Sequence, residues 1–524
     1  MAANPAPAMP LRCPLKTSRG LMRRLLLATL ACISLSVGFA EADQAISRLP
    51  GAEQQVALER LLAALPKGPT AEQLSGQLPS ARARVSKRTM FSSQAGSWPF
   101  EPFVHNGLFR VIAGYQASHP QALQIGGGQI DLAQLHRAVG DPEILRPHKD
   151  GYLLSYPLLI AVDAALLVEN TTLYLNANSG SALINQGQLV LRHAMVQGWS
   201  GTQTDEIAAE LTPRGFRPFI VSWAGSFTLV DNSTLSRLGY NAYLARGLGV
   251  ARSAAQGARI PAARLWVRDS LFDELSTAVD ASDALLRVDN SRFERLQQYA
   301  LDIADSQLRL QGNRIDQVRN NSGMRIRGRS SGRIEDNVIS ATGKAGIEVL
   351  EQRGDLLLSG NLLGTSAGNA IQLRESGAEG SLLLLRNHIL NSGYSGIDAL
   401  NVKRAHVADN RIGGTPEYAI SFRHPAAGGE RLVLTGNDLG HTGKALIRVE
   451  GQDSLILGDN HFRLMPPHQK ILAGDLLPLQ SQLLDALRQQ GCFIQVRPQL
   501  SNKNPPTDSQ VVPSGMASGC ADKS

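Results

Sequence analysis

The 524-residue sequence predicts an all-β protein whose main body is a parallel β-helix, a solenoid of coils about 24 residues long. Three observations carry that expectation. Asparagine recurs at Asn290, Asn313, Asn337, Asn361, Asn387, Asn410, Asn437 and Asn460, with spacings of 23, 24, 24, 26, 23, 27 and 23 residues, and Ser270 fills the slot one coil earlier. Within each repeat a small residue precedes an apolar-x-apolar unit, as in Ala300-Leu301-Asp302-Ile303, Gly323-Met324-Arg325-Ile326 and Gly346-Ile347-Glu348-Val349. That alternation marks strands with one buried face. Aromatic residues make up only 5% of the chain against 50 glycines, a composition suited to stacked strands and tight turns. Stacked coils would align the recurring asparagines as an internal ladder. A leucine-rich horseshoe is disfavoured by the asparagine spacing and the scarcity of helical segments.

The elements follow in order. Residues 1–42 read as an export signal: Met22-Arg23-Arg24 is basic, residues 25–39 are apolar, and Ala40-Glu41-Ala42 suits signal peptidase. Translation is expected to begin at Met22, with cleavage after Ala42. The segment holds five basic residues and one acid, so its removal lowers the formal charge from +7 to +3. A nearly balanced mature chain excludes nucleic acid as a global partner. No later apolar run is long enough to cross a membrane. Cys492 and Cys520 are the cysteines left after cleavage, to be paired as a disulfide or left as two thiols. No spacing suggests a metal site, and no cofactor is expected. Residues 43–124 form an N-terminal region with a helical stretch at 52–65 followed by linker sequence. The solenoid is expected over 125–465. Residues 466–524 hold an amphipathic capping helix at 477–490 and a polar tail.

Two stretches carry a family resemblance. Phe216-Arg217-Pro218-Phe219-Ile220-Val221-Ser222-Trp223-Ala224-Gly225-Ser226 and Leu238-Gly239-Tyr240-Asn241-Ala242, preceded by Asn185-Gln186-Gly187 and Gly198-Trp199, resemble the periplasmic mannuronan C5-epimerases of alginate biosynthesis. The resemblance extends over roughly residues 126–460. It implies a right-handed β-helix, an exported isomerase acting on a polyuronate, and residence in a periplasmic exopolysaccharide export complex. The family's Asp-Pro-His-Asp signature aligns with Asp302-Ile303-Ala304-Asp305, which implies catalytic positions at Asp302 and Asp305. Ala304 stands where the family carries its proton-abstracting histidine. The family's charge-neutralising arginine, one coil on, aligns with Gly328, between Arg327 and Arg329. Thr277-Ala278-Val279-Asp280 replaces an aromatic-rich stretch of the preceding coil.

Strand alternation predicts two outward columns. One runs Asp280, Asp302, Arg325, Glu348, Gln372, Asp398 and Ser421; the other runs Ser282, Ala304, Arg327, Leu350, Arg374, Leu400 and Arg423. Coils about 4.8 Å apart would match a polymer lying along the solenoid. Residues 309–333 contain seven arginines and a single acid, Asp316, and guanidinium groups grip carboxylates well. The candidate substrate-binding residues are therefore Arg325, Arg327, Arg329, Asp280, Arg309 and Arg374, facing an anionic polysaccharide. Three functional classes follow: an epimerase with Asp302, Asp305, Tyr299, Tyr394 or Tyr418 as substitute base; an inactive polysaccharide-binding scaffold; and a hydrolase or lyase using Asp280, Asp302 and Asp305.

Overall fold

Each coil lays down three short strands in a fixed order. Tyr299–Ala304 belongs to a front sheet, Gln307–Gln311 to a flank sheet and Arg314–Val318 to a rear sheet, after which Met324–Arg327 returns to the front sheet beside its predecessor. The computed structural model describes residues 45–90, 100, 114–116, 120–201, 216–240, 244–253, 257, 259–463, 470–487 and 492–497. Among these, the front and flank sheets have 15 strands each and the rear sheet 14. Strands of successive coils pair in parallel, so Asp280, Asp302, Arg325 and Glu348 stand side by side.

The inward residues of each coil, such as Leu301, Ile303, Leu308, Leu310, Ile315 and Val318, are buried and stack on their counterparts above and below. Phe272 and Phe293 stack face to face inside this core, with ring centroids 5.0 Å apart. One continuous apolar column thus replaces the layered core of an ordinary domain.

The asparagine ladder lies at the turn between flank and rear sheets. Asn313, Asn337, Asn361, Asn387, Asn410, Asn437 and Asn460 are all buried. Each of the first six donates from Nδ2 to Oδ1 of the next asparagine at 2.9–3.0 Å. Each Oδ1 also accepts the backbone N–H of the coil before it, as Asn337 does from Asn313 at 3.0 Å. The ladder begins one coil later than the sequence count suggests. Asn290, like Asn232, has a left-handed backbone (φ 49° and 44°) and lies one residue before the slot. Ser233, Ser270 and Ser291 fill it, and the Ser291 N–H donates to Asn313 Oδ1 at 3.0 Å. Asparagine tolerates both the left-handed turn position and the internal slot, and adjacent residues in Asp289-Asn290-Ser291 conflated the two.

The N-terminal region is a strap laid along the outside of the flank sheet. Ala45–Pro50 pairs antiparallel with Cys492–Arg497, which itself pairs antiparallel with Leu455–Gly458 at the C-terminal end of the solenoid. Helix Gly51–Ala64 follows, and Leu58, Leu62 and Leu65 pack on Leu357, Leu383, Leu385 and Ala408. The chain then crosses the coils in reverse order. Arg333 donates to the Leu62 and Pro66 carbonyls, Arg264 to Ser75 O at 2.8 Å, and Gln188 to Gln77 O at 2.8 Å. Leu78 packs among Val190, Phe227 and Leu229. Arg84–Thr89 finally pairs antiparallel with Gln121–Gly126, the first front-sheet strand of the solenoid. Antiparallel strands thereby extend the flank sheet at the C-terminal end of the solenoid and the front sheet at its N-terminal end.

The expected boundary at residue 125 falls inside strand Gln121–Gly126, and the described residues belong to one compact unit. Helix Gln480–Leu487 buries Leu483. Among the described residues no helix is long and apolar enough to cross a membrane. The expected signal segment, Cys520 and the tail lie outside the described residues, and Cys492 is described through its backbone alone.

Candidate functional site

The outer face of the front sheet changes character along the solenoid. In the first coils it is sealed: Leu159, Ile184, Val221, Trp223 and Ala251 are covered by Met90, Phe100, Phe216, Phe219, Tyr240 and Leu244. Phe216 and Tyr240 lie 5.2 Å apart between ring centroids. Gly239 makes the closing turn at φ 78°, and a Cβ there would lie 1.8 Å from the Arg246 carbonyl oxygen. That oxygen accepts the Thr277 N–H at 2.9 Å. The Leu238-Gly239-Tyr240 turn therefore fixes Arg246 against the coil that carries Asp280.

From Asp280 onward the face is open and charged. Asp302 is fully buried and is held by three guanidinium groups. Arg325 donates from Nε to Oδ1 at 2.9 Å and from Nη2 to Oδ2 at 2.5 Å. Arg246 Nη1 reaches Oδ2 at 3.3 Å, and Arg327 Nη2 lies 3.4 Å from Oδ1. Arg325 also stacks 4.2 Å over the buried Tyr299 ring, and burial raises the Tyr299 phenol above its usual range. Asp280 differs from its neighbour. Its contact with a cation is Arg246 Nη1 at 3.7 Å, and its carboxyl accepts no hydrogen bond from another described residue. Burial, and then the Asp302 charge, raise its carboxyl above the usual carboxylate range.

Three of the expected binding residues stand elsewhere. Arg309 is on the flank sheet, bonded to Gln311 Oε1 at 2.8 Å under the strap at Gly68. Arg329 is in the turn beyond the front strand, 79% exposed, near Asp305. The run of seven arginines is thus no single patch: Arg309 and Arg333 face the strap, Arg314 belongs to the rear sheet, and Arg325 and Arg327 stand in adjacent columns of the front sheet. Arg374 is on the front sheet but three coils from Asp302. There Asp398 accepts from Arg374 Nη2 at 2.6 Å and from Arg423 Nη2 at 3.2 Å. Asp305 is also displaced from the column. Its backbone is left-handed (φ 47°) and its Oδ1 accepts the Arg329 N–H of the next coil at 2.9 Å, a turn-capping role. Of the tyrosines, Tyr299 lies beneath Arg325, Tyr394 is exposed, and Tyr418 lies beneath Lys444 and Arg448. Arg246 was missed by strand alternation because it precedes its strand.

The family pattern described as a right handed beta helix region matches residues 278–426. A mannuronan C5-epimerase of Pseudomonas aeruginosa is 32% identical over 160 residues, 30% of this chain and 29% of the relative. The mannuronan C5-epimerase AlgG of Azotobacter vinelandii is 26% identical over 213 residues, 39% of this chain and 40% of the relative. The crystal structure of the periplasmic alginate epimerase AlgG superposes with a TM-score of 0.68 at 20% identity, covering 77% of this chain and 99% of that one.

Over these segments the chain is similar to the mannuronan C5-epimerases.

The aligned segments span well under half the length of these curated relatives, and the structural likeness carries the fold alone. The strand register gives the surroundings of Ala304 and Gly328. Gly328, where the sequence alignment puts the family arginine, has φ 66°, and a Cβ there would lie 2.5 Å from Asp305 Oδ1. The residue paired with Ala304 on the next coil is Arg327, and on the preceding coil Ser282.

Proposed function

We propose that this chain takes a polyuronate of the alginate type along its front sheet, in the compartment outside the inner membrane. The observation that carries the reading is Arg327. It borders the open column beside Ala304, keeps 40% of its side chain exposed, and is tied to Asp302 by one loose contact of 3.4 Å. Arg246, Arg325 and Arg327 against Asp280 and Asp302 leave a local charge of +1 (three minus two) when both carboxyls are ionised. A sugar carboxylate placed there meets a planar, partly desolvated donor.

Asp302 and Asp305 serve the fold in this reading. The first holds three arginines together and the second caps a turn. The names of the relatives favour the C5-epimerase class over a hydrolase or lyase. Export with removal of residues 1–42, a Cys492–Cys520 disulfide and contact with export-complex proteins complete the proposal. Intact mass of protein recovered from the periplasm tests cleavage and pairing: a mature chain beginning at Asp43 with no alkylatable thiol is expected. NMR of mannuronan incubated with the purified chain tests the substrate class. New guluronate signals or an unchanged bound polymer agree with it, and chain shortening contradicts it.

A further inference from the structure

We propose that Asp280 is the proton-transferring group of the front-sheet groove, standing in for the histidine that Ala304 replaces. The inference rests on the reading that a polyuronate occupies this sheet.

Asp280 is the first outward carboxyl of the open column. The preceding coil offers Gly249 in its register and the next coil offers Asp302. Its side chain is 16% exposed, enough to meet a polymer. The groups facing it are Arg246, Asp302, Arg325 and Arg327. Asp302 is bound by three of these arginines, whereas Asp280 has the single 3.7 Å approach of Arg246 and its carboxyl accepts no hydrogen bond from another described residue. Its oxygens are unspent. Burial and the Asp302 charge both make its carboxylate more basic than an ordinary aspartate, while the arginines oppose them. Two neighbouring carboxyls whose surroundings differ in this way form an acid/base pair in which one is fixed and the other exchanges its proton.

The chemistry balances with water as the one further reactant. The ionised Asp280 carboxylate takes the C5 proton of a bound uronate and becomes the carboxylic acid. The electron pair of the C5–H bond passes into the substrate carboxylate as an enediolate, countered by Arg246 and Arg327. Asp280 exchanges its proton with solvent and returns one to C5 with retention, or water donates one on the opposite face with inversion and the hydroxide left behind takes the Asp280 proton.

Mannuronan incubated with the protein in deuterated water tests this, with C5 hydrogen loss read by NMR and polymer binding measured in parallel. Wild type should incorporate deuterium at a rate that rises with pH through a midpoint above the usual carboxylate range. Asp280→Asn should still bind the polymer and should exchange at least about 100-fold more slowly, the scale of a lost general base. Asp280→Glu should keep part of the exchange with a shifted midpoint. Exchange by Asp280→Asn at the wild-type rate overturns the inference, as does a wild type that binds polymer and exchanges nothing. That second outcome leaves polyuronate binding intact, whereas failure of wild type to bind overturns both.

Discussion

Arg325 grips Asp302 through two hydrogen bonds from the next coil, at 2.9 and 2.5 Å, around a carboxylate with no solvent exposure. Removing one member of a buried charged cluster strands the others. Asp302→Ala is therefore expected to cost about 3–5 kcal/mol of stability, measured by chemical denaturation. A loss under about 1 kcal/mol would show that the carboxylate is not holding the arginines.

Asn361 sits in mid-ladder. Its Nδ2 donates to Ile334 O and Asn387 Oδ1, and its Oδ1 accepts from the N–H and Nδ2 of Asn337. Asn361→Ala leaves buried partners unsatisfied on both sides, at roughly 1–3 kcal/mol each. A midpoint in urea unchanged from wild type would remove the ladder from the account of stability.

Leu65 anchors the strap against Leu357, Leu383 and Leu385. Leu65→Ala should destabilise by about 2–3 kcal/mol, at the lower end for a buried leucine because the site lies near the surface. Limited proteolysis should cleave the variant first between residues 50 and 84. Unaltered cleavage kinetics would mean that the strap is held by its end strands alone.

His406 is buried on the flank sheet, and burial, aided by Arg431, pushes its imidazole down to about 4. A base depressed on folding binds fewer protons in the native state than in the unfolded one. Its contribution to stability is intact above the unfolded value of 6.5 and is lost as pH falls toward about 4. His406→Gln should flatten the stability profile across that window. An identical acid limb in both proteins would assign the loss to other groups.

The repeats made the solenoid legible because each coil must present the same small set of inward residues. The outward columns were legible for the same reason: strand alternation and parallel pairing put Asp302 beside Arg325 and Ala304 beside Arg327. What sequence could not deliver were relationships across the coil. Arg309 and Arg325 are 16 positions apart yet face different directions, because one coil turns the chain through three sheets. The strap pairs residues 45–50 with 492–497, and no local pattern encodes a contact between opposite ends of the chain. The Phe216, Phe219 and Tyr240 cluster was visible as a motif, but its work in closing one end of the groove and placing Arg246 depends on the turn at Gly239.

The central claim is that the front sheet recognises a polyuronate through its exposed arginine. Equilibrium binding of mannuronan to wild type and to Arg327→Ala, at low and high salt, addresses it directly. Wild type should bind mannuronan over a neutral polymer of equal length, with affinity falling as salt rises. The variant should bind about tenfold more weakly, the worth of one charge-assisted hydrogen bond at about 1.5 kcal/mol. Equal affinity of the two proteins, or equal binding of the neutral polymer, would contradict the claim.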